Sequence, residues 1–198
     1  FSKELALLLG GEAVITTHSD NMGLWALDTL GKEFDCNFTA YDPEHKRVVT
    51  ECIATFVNKK PTALLLDIRD TGTDYLERTC PEHVKIFYRF SDIPVDEFEL
   101  LITVSQFHFT ASVNIFAFFP KVLHLGFGCR KGRKGDPKEL FQAIGVSMMS
   151  ENISVMSLKD IVTIDIKKDE PILRELAGPK LWNRPILSYT AEELQPIS

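Results

Sequence analysis

The residues best suited to chemistry lie together in one segment, Leu-His-Leu-Gly-Phe-Gly-Cys-Arg-Lys-Gly, residues 123–132. Gly126, Gly128 and Gly132 are predicted to adopt positive φ angles and to expose consecutive backbone N–H groups, an arrangement that binds anions. Four cations follow closely: Arg130, Lys131, Arg133 and Lys134. Because arginine pairs bidentately with carboxylates and phosphates, the segment predicts a binding site for a ligand that carries such groups.

The glycine turn (residues 126–132) is also compatible with a purely structural role. A solvated β–α turn with incidental lysines would have the same composition. The third glycine is misplaced for a dinucleotide-binding fingerprint, and the G-K-[ST] sequence of a P-loop is absent. Cys129 is a candidate nucleophile beside Arg130, although a small buried residue in a tight turn is the simpler interpretation.

A second polar segment, Thr-Ile-Asp-Ile-Lys-Lys-Asp-Glu at residues 163–170, ends a predicted strand. The loops that follow strands carry function in α/β folds. Alternating acids and bases there could position a substrate or a water, which makes Asp165 and Glu170 candidate catalytic groups and Lys167 a candidate substrate ligand. Equally, Asp169 and Glu170 would stabilise the N-terminus of the next helix.

The third polar segment is Val-Ile-Thr-Thr-His-Ser-Asp, residues 14–20. His18 and Asp20 could be a general base and its orienting partner. Alternatively, Asp20 or Ser19 caps a helix and His18 is exposed. The other four histidines and the four cysteines lie far apart in the sequence, so spacing supports neither a metal site nor a disulfide framework.

Strands and helices must position these polar segments, and short apolar runs alternate with amphipathic stretches as in an α/β fold. Strands are predicted at 13–17, 63–66, 84–88, 100–104, 122–125, 160–164 and 185–189. Helices are predicted at 24–30, 45–57, 137–149, 171–177 and from Thr190 onward. Gly31 would end the first helix, Pro137 and Pro171 suit first helical positions, and Thr190 opens a capping box. The aromatic stretch 107–119 is either a strand pair or a hydrophobic connector.

Two candidate boundaries divide the chain into small α/β domains. Lys59-Lys60-Pro61 separates residues 1–58, the remainder of an N-terminal α/β domain, from a middle domain at 59–119. Pro120 opens an incomplete C-terminal α/β domain at 120–198, built as strand–glycine turn–helix–strand–helix units.

The composition excludes several functional classes. The net charge of −6 argues against a broad nucleic-acid interface. No apolar run approaches the ~20 residues that a membrane helix needs. Without paired cysteines, a reduced, cytoplasmic location is expected. The sequence leaves open whether the chain forms a homodimer.

Four segments, in the same order, resemble motifs of the cobalamin biosynthesis protein G family. The family's V-I-T-T-A-T-D motif is similar to residues 14–20, although His18 and Ser19 replace Ala-Thr, and an aspartate follows here at Asp28. Its G-I-G-C-R-[RK]-G motif resembles the glycine turn, S-I-D-x-K-x-D-E resembles residues 163–170, and Y-[ST]-A-E-E-L resembles residues 189–194. The family extends further at both ends, so the chain is expected to be a fragment.

The resemblance implies a hydrolase of anaerobic cobalamin biosynthesis that opens the δ-lactone of cobalt-precorrin-5A and releases acetaldehyde. The partner is then a cobalt-containing tetrapyrrole, and cobalt belongs to the substrate, so no cofactor or protein metal site is expected. Substrate carboxylates would be bound by Gly126, Gly128, Cys129, Arg130, Lys131 and Lys167. Asp165 or Glu170 is the preferred base, ahead of His18 with Asp20. The alternatives are a non-catalytic tetrapyrrole-binding module and a phosphate- or nucleotide-binding α/β domain.

Overall fold

The strands form two sheets. The computed structural model describes residues 23–69, 73–132 and 135–195, together with Leu8 and Gly10. The first sheet contains β1 (Cys36–Tyr41), β2 (Thr62–Leu66), β3 (Val84–Phe87), β4 (Leu100–Val104) and β5 (Asn114–Pro120). The second contains β6 (Leu123–Gly126), β7 (Leu158–Ile164) and β8 (Ile186–Tyr189).

Helices connect and cover these strands. They are α1 (Leu27–Glu33), α2 (Val49–Val57), α3 (Asp74–Arg78), α4 (Pro137–Ser150), α5 (Pro171–Ala177) and α6 (Ala191–Leu194). No helix within the described ranges combines the length and apolar character needed to cross a lipid bilayer. The fold is therefore α/β, as the sequence predicts.

The five-stranded sheet has the order β1-β5-β4-β2-β3 and is parallel except for β1, which pairs antiparallel with β5. Every residue of β2 and β4 is buried, as expected for continuous apolar runs covered on both faces. Helices α1 and α2 cover one face through residues such as Leu27 and Phe56. Aromatic side chains from loops cover the other, including Phe90, Phe98 and Phe109.

Most elements predicted within the described residues are confirmed, but α1 spans Leu27–Glu33 rather than 24–30, the start of α2 is wrong, and β1 and α3 were not predicted. The predicted strand at 13–17 lies outside the described residues. Helix α1 continues through Gly31, where an added Cβ would lie 2.9 Å from the Cys36 carbonyl oxygen, so this glycine permits close packing rather than ending the helix. Helix α2 begins at Val49 rather than His45, because His45 has a φ of 63° and the chain turns there. The stretch 107–119 holds one strand, β5, preceded by a connector.

The first sheet continues across residue 59, where the sequence led us to expect a domain boundary. Strand β1 lies before that position and pairs along its whole length with β5, which lies after it. The sheet ends at Pro120, the second expected boundary, and β6 opens the other sheet at Leu123.

The second sheet is parallel, with the order β6-β7-β8. Helices α4 and α5 cover one face, where Ile161 of β7 packs with Leu173 of α5 and with Trp182. Pro137 and Pro171 each lie in the first turn of their helix, as predicted. Because the strands are parallel, their carboxyl ends meet at one edge of the sheet, and the polar segments that follow β6 and β7 meet there.

Candidate functional site

A cavity of about 310 Å³ opens where the three strands of the second sheet end. This C-terminal cavity is lined by Gly126 to Cys129, by Val162 to Ile164 with Lys167, and by Tyr189 and Leu194. Apart from Val162, these lining residues belong to three of the segments that the sequence singled out. The remaining segment, with His18 and Asp20, lies outside the described residues.

The three glycines of the turn differ in backbone conformation and in position. Gly132 has a φ of 67°, in the left-handed region that favours glycine. Gly126 and Gly128 do not have positive φ angles, so the prediction that all three adopt them is wrong. An added Cβ at either position would meet no atom within 4 Å. Both glycines line the cavity, and the lack of a side chain therefore keeps its edge open.

The anion that the glycine turn binds is a carboxylate of the protein itself. The Gly132 N–H donates to Oε2 of Glu170 across 2.9 Å, and Nζ of Lys167 lies 3.4 Å from Oε1 of the same side chain. Glu170 is buried, and it also precedes α5 as its N-cap residue. Glu170 thus ties the turn after β6 to the loop after β7.

This contact also sets the charge of Glu170. The hydrogen bond from the Gly132 N–H lowers the pKa of Glu170 below its ordinary value of 4.5, with further lowering by Lys167 and by the charge of Lys131, against a partial rise from burial. The side chain is therefore a carboxylate at neutral pH and a weak proton acceptor. Its geometry is that of a residue that positions the turn.

The predicted cations are distributed unevenly around the cavity. Lys167 is partly buried and lines it. Arg130 and Lys131 are exposed on the turn and do not line it. Arg133 and Lys134 lie outside the described residues. Among the described residues, Lys167 is therefore the cation on the cavity wall.

Cys129 lies between two cavities. It lines the C-terminal cavity and also a second space of about 320 Å³ on the helix side of the turn, together with Asp136 and Glu139 of the α4 region. The thiol is partly buried rather than enclosed in the core. The Cys129 side chain could therefore contact a ligand in either cavity.

Asp165 follows β7 directly and opens a short 3₁₀ turn, Asp165–Lys167. Its Oδ1 accepts a hydrogen bond of 2.8 Å from the Ile166 N–H. Unlike Glu170, it forms no ion pair with any residue in the described ranges. It does not line the cavity itself but lies beside Ile164, which does.

A histidine–aspartate pair on the second sheet was not predicted from the sequence. Nδ1 of His124 on β6 lies 2.7 Å from Oδ1 of Asp160 on β7, and the side chains are 53% and 3% exposed. His124 and Asp160 lie two residues before Gly126 and Val162 on their strands, so they share a sheet face with these cavity residues. An acid inside the apolar strand Leu158–Ile164 was the signal that could have revealed the pair, because a buried acid needs a partner.

Tyr189 and Leu194 were recognised as part of a motif but not as cavity residues. The predicted capping box holds them in place: the Thr190 hydroxyl accepts from the Glu193 N–H, and the Thr190 N–H donates to Glu193 Oε2 across 2.7 Å. This reciprocal pair starts α6 immediately after β8 and orients Leu194 toward the cavity.

Comparison with known proteins identifies related sequences across nearly the whole chain. Residues 25–116 match the family model described as the cobalamin biosynthesis central region, and residues 123–198 match that of the cobalamin synthesis G C-terminus. The chain is 26% identical over 202 aligned positions to a cobalt-precorrin-5A hydrolase of Priestia megaterium. That alignment covers 100% of this chain and 52% of the relative, so the chain spans about half the length of the curated relative.

A solved structure also aligns with the chain, a cobalamin biosynthesis protein G homolog from Sulfolobus solfataricus. The alignment covers 98% of this chain and 50% of that one, at 13% identity and a TM-score of 0.31. The two family models match consecutive regions, in the same order as the two sheets, and the motifs at the C-terminal cavity fall within the second model. The chain belongs to the cobalamin biosynthesis protein G family.

Proposed function

We propose that this chain takes part in the hydrolysis of cobalt-precorrin-5A, in which the δ-lactone is opened and acetaldehyde is released. The name of the Priestia megaterium relative and the two matched family models support this proposal. The observation that carries it is the C-terminal cavity, because one edge of the sheet gathers a cation, an open glycine turn and apolar walls.

The substrate would lie partly in the cavity and partly on the open face of the second sheet. A cavity of about 310 Å³ accommodates one edge of a macrocycle, such as the lactone ring with an adjacent carboxylate arm. On the open face Ile164, Leu187 and Tyr189 are 40%, 37% and 39% exposed, and they would cover the apolar plane of the macrocycle. Lys167 would bind a carboxylate inside the cavity, and Arg130 and Lys131 would bind arms that project past the turn.

The proposed reaction has two steps. Water adds to the lactone carbonyl and the ring C–O bond breaks. The acyl side of the lactone becomes a carboxylate, and the two-carbon fragment carries the secondary alcohol. A base then takes the alcohol proton, the carbon–carbon bond to the macrocycle breaks, and acetaldehyde leaves. The electron pair of that bond remains on the macrocycle, whose cobalt and conjugation stabilise it.

Asp165 is the proposed base in preference to Glu170, because the turn amide and Lys167 already engage Glu170. His124 is the second candidate, since Oδ1 of buried Asp160 lies 2.7 Å from its Nδ1 and His124 shares a sheet face with the cavity residue Gly126. Replacing Asp165 by Asn and His124 by Gln separates the two. The variant that lacks the base should lose acetaldehyde release by about a hundredfold or more while it still binds the tetrapyrrole.

Two measurements on the purified chain test the proposal: tetrapyrrole binding followed by absorbance, and acetaldehyde released from cobalt-precorrin-5A. Lys167→Ala and Arg130→Ala should weaken binding by about tenfold each, since each removes a charge-assisted contact. Arg89→Ala is the matched control, because Arg89 is an exposed arginine near the first sheet. Unchanged binding in both site variants would contradict the assignment of this cavity.

A binding module without catalysis is the second candidate function. It is favoured by one observation: no acidic side chain lines the C-terminal cavity among the described residues. Binding of the lactone with no release of acetaldehyde would support this alternative, whereas release that Asp165→Asn abolishes would support the hydrolase.

A further inference from the structure

Another cavity, of about 440 Å³, shares no lining residue with the C-terminal cavity. It is bounded by the outer strand β1, by the connector between β4 and β5, and by residues at the end of α4. We call it the histidine cavity, because His45 and His108 line it together with Arg47 and Tyr41. Neither histidine has a role in the function proposed above.

The lining of the histidine cavity is largely polar and carries the positive charge of Arg47. Arg47, His45 and His108 line it, and no acidic side chain does so among the described residues. The nearest acid in the sequence, Asp42, is engaged elsewhere, since its Oδ1 accepts from the Glu44 and Lys46 N–H groups at 2.9 and 2.8 Å. Glu44 lies 2.5 Å from the Lys46 ammonium, so it too has a partner.

The side chains of this cavity are held in place by contacts of their own. His45 has a φ of 63°, a conformation uncommon outside glycine, and its ring stacks on Tyr41 with 5.7 Å between centroids. The Tyr41 hydroxyl donates to the Phe109 carbonyl across 3.0 Å. The backbone N–H of His108 donates to the backbone carbonyl of Asn152 across 2.7 Å, and the His108 ring packs on Phe119.

We propose that the histidine cavity binds the carboxylate of an organic acid, with Arg47 and the two histidine rings around the anionic group. The charge and the donors of the lining match a carboxylate. The apolar contribution of Ala40, Phe109 and Met149 matches a short hydrocarbon stem and distinguishes such an acid from inorganic phosphate. The cavity volume is ample for a small organic acid and also admits a carboxylate arm of a larger ligand.

Proton uptake should accompany binding. Burial and, to a lesser degree, the neighbouring charge of His45 lower the pKa of His108, so its ring is neutral at pH 7 in the empty cavity. Burial raises the pKa of Tyr41, so the phenol also stays neutral. The α4 side of the cavity contributes Met149 and Asn152, which do not titrate. A bound carboxylate favours the protonated imidazole and should therefore raise the pKa of His108.

The test is titration of the chain with propionate, followed by NMR of the histidine ring signals and by calorimetry, with propionamide as the uncharged analogue. Propionate should bind in the millimolar range and shift His45 and His108, whereas propionamide should not. Arg47→Gln should weaken binding by about tenfold, and Arg89→Gln should leave it unchanged. Affinity should fall as the pH rises above the lowered pKa of His108 in the free chain, because binding then requires uptake of a proton.

Three results would overturn the proposal: no shift of either histidine at about 100 mM propionate, equal binding of propionamide, or binding of inorganic phosphate in place of propionate. His108→Gln is a second variant, and Arg47→Gln keeps the test interpretable if His108→Gln unfolds, because Arg47 is exposed.

A displacement experiment identifies the molecule that supplies the carboxylate. A corrin polycarboxylate that displaces propionate, in the wild type but not in Arg47→Gln, indicates a carboxylate arm of a tetrapyrrole. Propionate binding without such displacement indicates a separate small acid. Both results are independent of acetaldehyde release, so failure of the proposed hydrolase activity would leave this inference standing.

Discussion

The two sheets of this chain differ in how many of their faces are covered, and the candidate site lies on the less covered one. In the five-stranded sheet, helices cover one face and aromatic loops the other, and β2 and β4 are buried throughout. In the three-stranded sheet, α4 and α5 cover one face, and β8 is largely exposed on the other. The first sheet is buried on both faces, as expected of a scaffold, whereas the second keeps an accessible face beside the loops of the candidate site.

The chain offers a direct way to compare the two regions, because it has two tryptophans, one in each core. Trp25 stacks on Phe56 beneath the first sheet, and Trp182 packs on Phe141 beneath the second. Variants that retain only one tryptophan, made by Trp182→Phe or Trp25→Phe, report on each region separately by fluorescence during urea unfolding.

The largest effect is expected for Phe116→Ala in the first sheet. Phe116 is fully buried, and its ring lies 5.1 Å from those of Phe38 and Phe118. The cavity left behind should lower the free energy of unfolding by about 3–5 kcal/mol, measured by urea unfolding with Trp25 fluorescence. Phe38→Ala, at the partly buried outer strand, should cost less. Equal losses for both would contradict the greater burial of the inner strand β5 relative to the outer strand β1.

Two neighbouring residues of β7 allow the covered and open faces of the second sheet to be compared. Ile161 is fully buried against the helices, whereas Val162 is partly exposed on the open face. Ile161→Ala should lower the free energy of unfolding by about 2–4 kcal/mol, and Val162→Ala by about 1 kcal/mol or less. Urea unfolding with Trp182 fluorescence measures both. A larger loss for Val162→Ala would mean that something covers the open face.

The elements that local chemistry determines were predictable from the sequence. The apolar runs of β2 and β4, the prolines that open α4 and α5, and the capping box at Thr190 all depend on neighbouring residues alone. Strand β1 was not predicted. Its apolar residues Phe38 and Ala40 alternate with polar residues, and this period of two indicates a strand whose side chains point to opposite faces of a sheet.

The contacts that define the site were not predictable, because they join residues distant in sequence. Glu170 and Gly132 are separated by 38 positions, and His124 and Asp160 by 36. Sequence patterns predicted Glu170 as either a candidate catalytic acid or a residue that stabilises the N-terminus of a helix, and its contacts depend on the partner that the fold brings to it. The same holds for His45 and His108, which only the packing of the connector on β1 brings to one cavity.

Glu170→Gln tests whether an internal carboxylate orders the glycine turn. Glutamine keeps an acceptor for the Gly132 N–H but removes the charge that strengthens this bond and pairs with Lys167. Hydrogen exchange at the Gly132 amide should accelerate about threefold to tenfold, with little change in urea unfolding. Glu175→Gln, an exposed acid of α5, is the control. An unchanged exchange rate would show that the turn is ordered without this anion.

Acid should loosen the same turn in the wild type. Because the pKa of Glu170 is lower in the folded chain than its ordinary value of 4.5, its contribution is fully present at neutral pH and is lost as the pH falls through the folded pKa. The Gly132 amide resonance should therefore titrate with a midpoint below 4.5. Glu170→Gln should lack this inflection. A midpoint at or above the ordinary value would argue against the hydrogen bond.

The smallest effect is expected at the far end of the open sheet, for Thr190→Ala. The substitution removes the hydroxyl that accepts from the Glu193 N–H, and losses of this kind cost about 0.5–1 kcal/mol in exposed helices. Helix α6 has only four residues and buries none of them, so urea unfolding should hardly change while exchange of the Glu193 amide accelerates. Thr190→Ser keeps the cap and should behave as the wild type. Because Leu194 lines the C-terminal cavity, Thr190→Ala should also weaken tetrapyrrole binding severalfold, and unaltered binding would mean that α6 contributes nothing to the site.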